Sequence, residues 1–180
     1  VKINEATEAD FRTVTQRDIR NLANLHRAED LPRLLALLAA RTAQEVNYNE
    51  IARELGMPRT SLLDYTGLLE VVGLWVRTRA WSRNLTSRVV KHPKGYVTDT
   101  GLAAALLRVD ASAMLDPLTP AVGPLLESFV AGELAKQRTW SDGSYELHHY
   151  RERGGPEVDV VLEADDGRVA GVEVKASSTV

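Results

Sequence analysis

The residues of this 180-residue chain best suited to chemistry lie in its last stretch, 156–177, where Glu157, Asp159, Glu173 and Lys175 punctuate two runs rich in valine. The runs flank Asp165, Asp166 and Gly167, a pattern that predicts a β-hairpin. A three-residue loop with glycine at its left-handed position pairs Ala164 with Arg168. Counting back sets Val158 against Val174, Val160 against Val172 and Leu162 against Ala170, which predicts one wholly apolar face. The same register sets Asp159 against Glu173 and Glu157 against Lys175 on the other face. A two-residue loop scrambles both faces, a slip that a buried face strongly disfavours.

Neighbouring carboxylates repel unless a positive charge stands between them, and a hard divalent ion with oxygen ligands is the usual answer, here magnesium or manganese. Such an ion holds a phosphodiester oxygen and acidifies a bound water, while a nearby lysine stabilises developing charge. This chemistry makes Asp159 and Glu173 candidate metal ligands and, with Lys175, a candidate catalytic set. The structural alternative is a solvated sheet face.

Asp159 followed by Glu173, Val174 and Lys175 resembles the Asp and (Asp/Glu)-X-Lys signature of the PD-(D/E)XK restriction-endonuclease-like superfamily. The proline-aspartate pair is replaced here by Pro156, Glu157, Val158 and Asp159. In that superfamily the helix before the first core strand often lends a further acidic ligand. Residues 122–138 predict a helix with Leu126, Phe129, Val130 and Leu134 on one side, Glu133 in the centre of that stripe and Glu127 on its flank. The resemblance points to Glu127 as the additional metal ligand, with Glu133 second; either reads equally as a surface glutamate. A strand over 145–151 follows, ending in Tyr150 and Arg151, further candidates beside the site. Helix, strand, strand, strand is the front half of the nuclease-like core, whose remainder is expected beyond Val180.

Upstream, a helix is expected over 15–25, and Asp30 before Pro32 reads as the cap of a core helix carrying Leu34, Leu35, Leu37 and Leu38. A short helix bearing Ile51, Ala52 and Leu55 ends at Gly56, and a second, capped by Thr60 or Ser61, carries Leu62, Leu63, Leu68 and Leu69 to about Gly73. This is a helix-turn-helix pattern. Strands predicted over 74–81 and 94–98 extend it to a winged helix. Arg77, Arg79, Arg83, Arg88, Lys91 and Lys94 form a basic patch there, interleaved with Trp75, Trp81 and Tyr96, as a phosphate-tracking surface requires. The second helix argues the other way, since past Arg59 it offers Asp64 and Glu70 and no further base. The wing therefore reads either as a DNA contact or as a packing module. Another helix opens at Asp99.

Pro117 and Pro120 mark 110–121 as a linker between a helical, winged-helix domain over 1–109 and a nuclease-like domain over 122–180 that is incomplete at its C-terminus. The fold class expected is α+β, a winged-helix half followed by a truncated α-β-β-β half.

Composition is that of an ordinary globular protein, 44% hydrophobic and 26% charged. A net charge of −3 supplies no global field for nucleic acid, so any such contact must be local. The absence of cysteine excludes disulfides and thiolate chemistry, and the 4 histidines lack metal-ligand spacing. No apolar run approaches the roughly 18 residues of a membrane span. The expected compartment is the cytoplasm.

Taken whole, the chain resembles the C-terminal part of bacterial and archaeal AAA-type ATP-binding proteins that end in a domain of unknown function. The landmarks are Arg17 and Asp18, the run from Glu50 to Gly56, Pro93 and Lys94 leading to Asp99 through Leu102, Glu127 through Val130, and the region from Tyr150 to Lys175. The resemblance implies an ATPase module upstream. These residues contain no phosphate-binding loop, so no ATP site is expected within them. Two functions stand from the sequence: a DNA-directed module hydrolysing phosphodiesters with magnesium or manganese, or a module that kept the fold, lost the chemistry and binds DNA or protein.

Overall fold

The computed structural model describes residues 30–176 apart from 85, 87, 89, 90, 117 and 153; the helix expected over 15–25 lies outside them. The described elements are α1 (Asp30–Ala40), β1 (Gln44–Glu45), α2 (Tyr48–Leu55), α3 (Arg59–Val71), β2 (Trp75–Ala80), β3 (Lys94–Val97), α4 (Thr100–Leu106), a 3-10 turn (Ala113–Leu115), α5 (Val122–Gln137), β4 (Tyr145–Arg151), β5 (Glu157–Ala164) and β6 (Val169–Val172). The fold is mixed α+β.

Leucines at i, i+3, i+4 and i+7 give α1 a single apolar stripe, and Leu31, Leu34, Leu35 and Leu38 are all 0% exposed. The Asn47 side chain caps α2 by accepting the Glu50 N–H, and Gly56, at φ +63°, ends it in the left-handed conformation that only glycine adopts without strain. Pro58 rather than Thr60 or Ser61 stands at the N-cap of α3, because the turn after Gly56 is so short that the helix begins two or three residues earlier than expected. Its fixed φ of −60° sets the entry. The Asp99 side chain caps α4 through the Leu102 N–H at 2.8 Å. These helices close over Trp75, Val97 and Leu125 to make the larger core.

The strands form one six-stranded sheet in the order β1-β3-β2-β4-β5-β6. All neighbours are antiparallel except β2 and β4, whose parallel pairing joins the segments on either side of 110–121. Trp75 lies across β3 where Gly95 leaves room: a Cβ there would stand 2.0 Å from the indole Cζ2. A smaller core of Ala43, Tyr96, Ala131 and Val160 fills the space between α5 and the sheet.

The face of α5 differs from the expected one. Val122, Leu125, Ser128 and Ala131 are buried, whereas Phe129 is 50% exposed. The helix bridges the helical core, through Leu125, and the sheet, through Ala131, and small side chains permit that close approach. Glu133 pairs with Lys136 at the surface instead of occupying the centre of an apolar stripe.

The hairpin register is as the loop argument requires. Val160 pairs with Val172 and Leu162 with Ala170, Ala164 donates its N–H to Arg168 at 2.9 Å, and Gly167 has φ +84°. The apolar face is nonetheless not continuous. On the other side of β5, His148 pairs with Val161 and Tyr150 with Val158, so His149 alone faces both Asp159 and Val160. This β-bulge breaks the alternation and brings Glu157 and Asp159 to the side on which Val160 packs against α5. Val158 turns instead toward Gly171.

Candidate functional site

On β3, Lys94 and Tyr96 alternate onto the α5 side of the sheet. Lys94 is thereby removed from the basic patch in which the sequence put it: its side chain is 2% exposed. Its Nζ lies 2.6 Å from Glu127 Oε1 on α5, 3.4 Å from Glu157 Oε1 and 3.6 Å from Asp159 Oδ1 on β5. The Tyr96 hydroxyl donates to Glu127 Oε1 at 3.2 Å, and Asp159 Oδ2 accepts the Val174 N–H at 2.9 Å. Glu127 and Asp159, predicted as ligands from separate elements, thus converge. Burial pushes the Glu127 carboxyl up to about 7 against the opposing pull of the Lys94 ammonium. Burial, then the Glu127 charge, raises the Tyr96 phenol and keeps it a donor.

Glu173 does not join this group through its carboxylate. It is exposed and paired with Lys175, whose amine is also exposed and raised by that contact. The hairpin ladder ends at Val172, and Asp159 takes up the backbone of Val174 with its side chain, so no Asp159 and Glu173 strand pair forms.

The arrangement bears on a divalent ion directly. The position where Glu127, Glu157 and Asp159 meet holds an ammonium, at nitrogen to oxygen distances well beyond the roughly 2.0–2.1 Å of a magnesium shell. Among the described residues no group of three or more His, Asp or Glu is disposed to hold a metal ion. Lys94 supplies the positive charge that these neighbouring carboxylates need.

A second feature lies on the opposite face of β2. A cleft of about 640 Å³ is lined by Arg77, Arg79, Arg88 and Lys91, with Glu70 among them. A hollow of about 300 Å³ shares Arg77 and Lys91 and adds Arg59 and His92. Arg77 is engaged by Glu70 and by the Tyr48 hydroxyl, and its guanidinium lies 5.8 Å from the Tyr48 ring centroid. Arg88 makes a two-pronged pair with Glu163 and lies 5.8 Å from the Trp81 ring. Lys91 donates to the Arg151 carbonyl at 3.3 Å and stands 5.7 Å from the Tyr150 ring. Arg79 and Arg83 are exposed. Of the remaining candidates, Tyr150 bonds Glu152, and Arg151 lies 3.6 Å from Glu157.

The hairpin register sets Glu157 opposite Lys175, whereas in the structure it lies against Lys94; nothing in the sequence signals that Glu70 and Glu163 pair internally with the arginines. The lysine's burial had one local signal, a position two residues from Tyr96 in a four-residue strand, which puts both on one face.

Two mycobacterial proteins align with 93% of this chain at 29% identity, Uncharacterized protein Mb2031c of Mycobacterium bovis and Uncharacterized protein Rv2008c of Mycobacterium tuberculosis. The chain spans 36% of the length of each. No solved structure matches. Residues 122–180 match the family described as Domain of unknown function (DUF4143). Residues 2–113 match Domain of unknown function (DUF8612), and over this larger part of its length the chain belongs to the DUF8612 family.

Proposed function

We propose that the chain is a DNA-binding module of a longer, AAA-type ATP-binding protein, built as a winged helix joined to a restriction-endonuclease-like half that has given up catalysis. The cleft carries this reading. Four cations line it, two of them, Arg77 and Arg88, neutralised internally by Glu70 and Glu163. Arg79 and Lys91 are left to meet phosphates, with Arg59 in the adjoining hollow and Arg83 also exposed. Such contacts act by releasing condensed counterions, so they are sequence-independent and weaken with salt. The internal pairs fix the direction of the arginines before any ligand arrives.

The test is fluorescence anisotropy of labelled duplex DNA with the full-length protein across a salt series. Binding with a negative salt slope, reduced by about one for Arg79→Ala and again for Lys91→Ala, is the expected result. Binding indifferent to both residues overturns the reading.

Phosphodiester hydrolysis with magnesium or manganese at Asp159, Glu173 and Lys175, assisted by Glu127, is the second reading. The convergence of Glu127 and Asp159 favours it; Lys94, lodged between them, stands against it. Nicking of supercoiled DNA, with Lys175→Ala as control, separates the two. The cytoplasm is the compartment either reading requires.

A further inference from the structure

Lysine is rarely buried, because its ammonium loses hydration that only close anionic partners replace. Lys94 nevertheless sits inside with three carboxylates within 3.6 Å of its Nζ. Those carboxylates do not share one element. Glu127 comes from α5, and Glu157 and Asp159 reach the same side of the sheet because β5 bulges opposite His149. A bulge re-aims side chains, and here it turns two acidic ones toward a buried ammonium. Asp159 is further held by the Val174 N–H, and Tyr96 adds a hydroxyl oxygen beside Glu127.

We propose that Lys94 is a resident cation standing where a divalent ion would otherwise sit, and that removing its charge converts Glu127, Glu157 and Asp159 into a binding site for a hard divalent cation. Without the ammonium, the carboxylates repel one another and must either protonate or gather around another positive charge. Oxygen-only ligation selects an ion of the magnesium, manganese or calcium type. The inference does not rest on the DNA reading, since gain of metal uptake and loss of DNA binding are measured on different residues.

The experiment is calorimetric titration of Mn²⁺ into the full-length protein, comparing the wild type, Asp159→Asn, Lys94→Met, and Lys94→Met with Asp159→Asn. Ions held elsewhere cancel in the comparison. The proposal expects one additional Mn²⁺ per chain in Lys94→Met, absent from the wild type and abolished by Asp159→Asn. It is overturned if the wild type already takes up an Asp159-dependent ion, or if folded Lys94→Met takes up none. Should Lys94→Met fail to fold alone, far-UV circular dichroism with Mn²⁺ reads the same point: restored folding that requires Asp159 supports the proposal, and no restoration overturns it.

Discussion

Lys94 and Glu127 meet at 2.6 Å with side chains 2% and 12% exposed, joining β3 to α5. An ion pair so placed differs in kind from one at the surface. Water screens neither partner, and removing one leaves the other charged in a poor solvent.

Lys94→Met therefore destabilises the protein in the absence of added metal by about 3–5 kcal/mol, the usual consequence of breaking a buried pair. Adding Glu127→Gln recovers part of that loss, because the orphaned carboxylate is gone while its shape remains. Urea unfolding of the two single variants and the double variant measures the coupling. Simple additivity would show that the contact is energetically idle.

The arginines of the cleft separate into two groups by the same reasoning. Arg88 holds Glu163 with both prongs of its guanidinium, so Arg88→Ala lowers stability by about 1 kcal/mol. Arg79 is exposed, and Arg79→Ala shifts stability by less than about 0.5 kcal/mol while still lowering the salt dependence of DNA binding. Denaturant midpoints and anisotropy on the same two variants test the division. Equal effects on both measurements would remove it.

The hairpin register was legible because it rested on one side-chain rule: only the three-residue loop keeps Val160, Leu162 and Val172 together. The bulge was not legible, since it depends on β4, a partner that the hairpin's own pattern does not contain. For the same reason the pattern puts Val158 on the wrong face and sets Glu157 against Lys175 rather than Lys94. Helix α5 misled because hydrophobicity named Phe129 and Leu126, whereas the sheet accepts the small Ser128 and Ala131. Lys94 was read as one of six basic residues in a row of charge. Sequence proximity made them a patch, but strand alternation sends Lys94 to the face opposite the cleft. The leucines of α1, the end of α2 at Gly56 and the opening of α4 at Asp99 needed only local information and came through intact.

Gly95 supplies a test of packing that involves no charge. A methyl group there would meet Trp75 Cζ2 at 2.0 Å, Trp75 Cη2 at 2.4 Å and Val46 Cγ2 at 2.7 Å. The indole is 2% exposed and packed in the larger core, so Gly95→Ala is expected to destabilise by about 2–3 kcal/mol. Gly123→Ala on α5, where no atom lies within 4 Å of the new carbon, is the control and is neutral to mildly stabilising. Thermal unfolding of the pair reads the contrast. A Gly95→Ala protein as stable as the wild type would mean that Trp75 does not lie across β3.

His149 makes stability depend on pH, and the direction follows from burial. The ring is 1% exposed, and neither of its nitrogens has a hydrogen-bond partner among the described residues. Burial first, then the neighbouring Lys94 ammonium, lowers its pKa from 6.5 to about 4. Below pH 6.5 the unfolded chain takes up a proton that the folded chain refuses until about pH 4. The stability present above pH 6.5 is therefore lost as pH falls through that window, by up to about 3 kcal/mol. His149→Phe keeps an aromatic ring in place and abolishes this part of the slope. Two groups shape the slope that remains: burial lowers the His148 imidazole too, which adds to the decline, whereas the Glu127 carboxyl, raised to about 7, takes up its proton earlier in the folded chain and opposes it. Urea unfolding at intervals between pH 7 and pH 4.5 compares the two proteins. If His149→Phe loses stability as steeply as the wild type, the acid sensitivity belongs to other groups and His149 is not held neutral by the core.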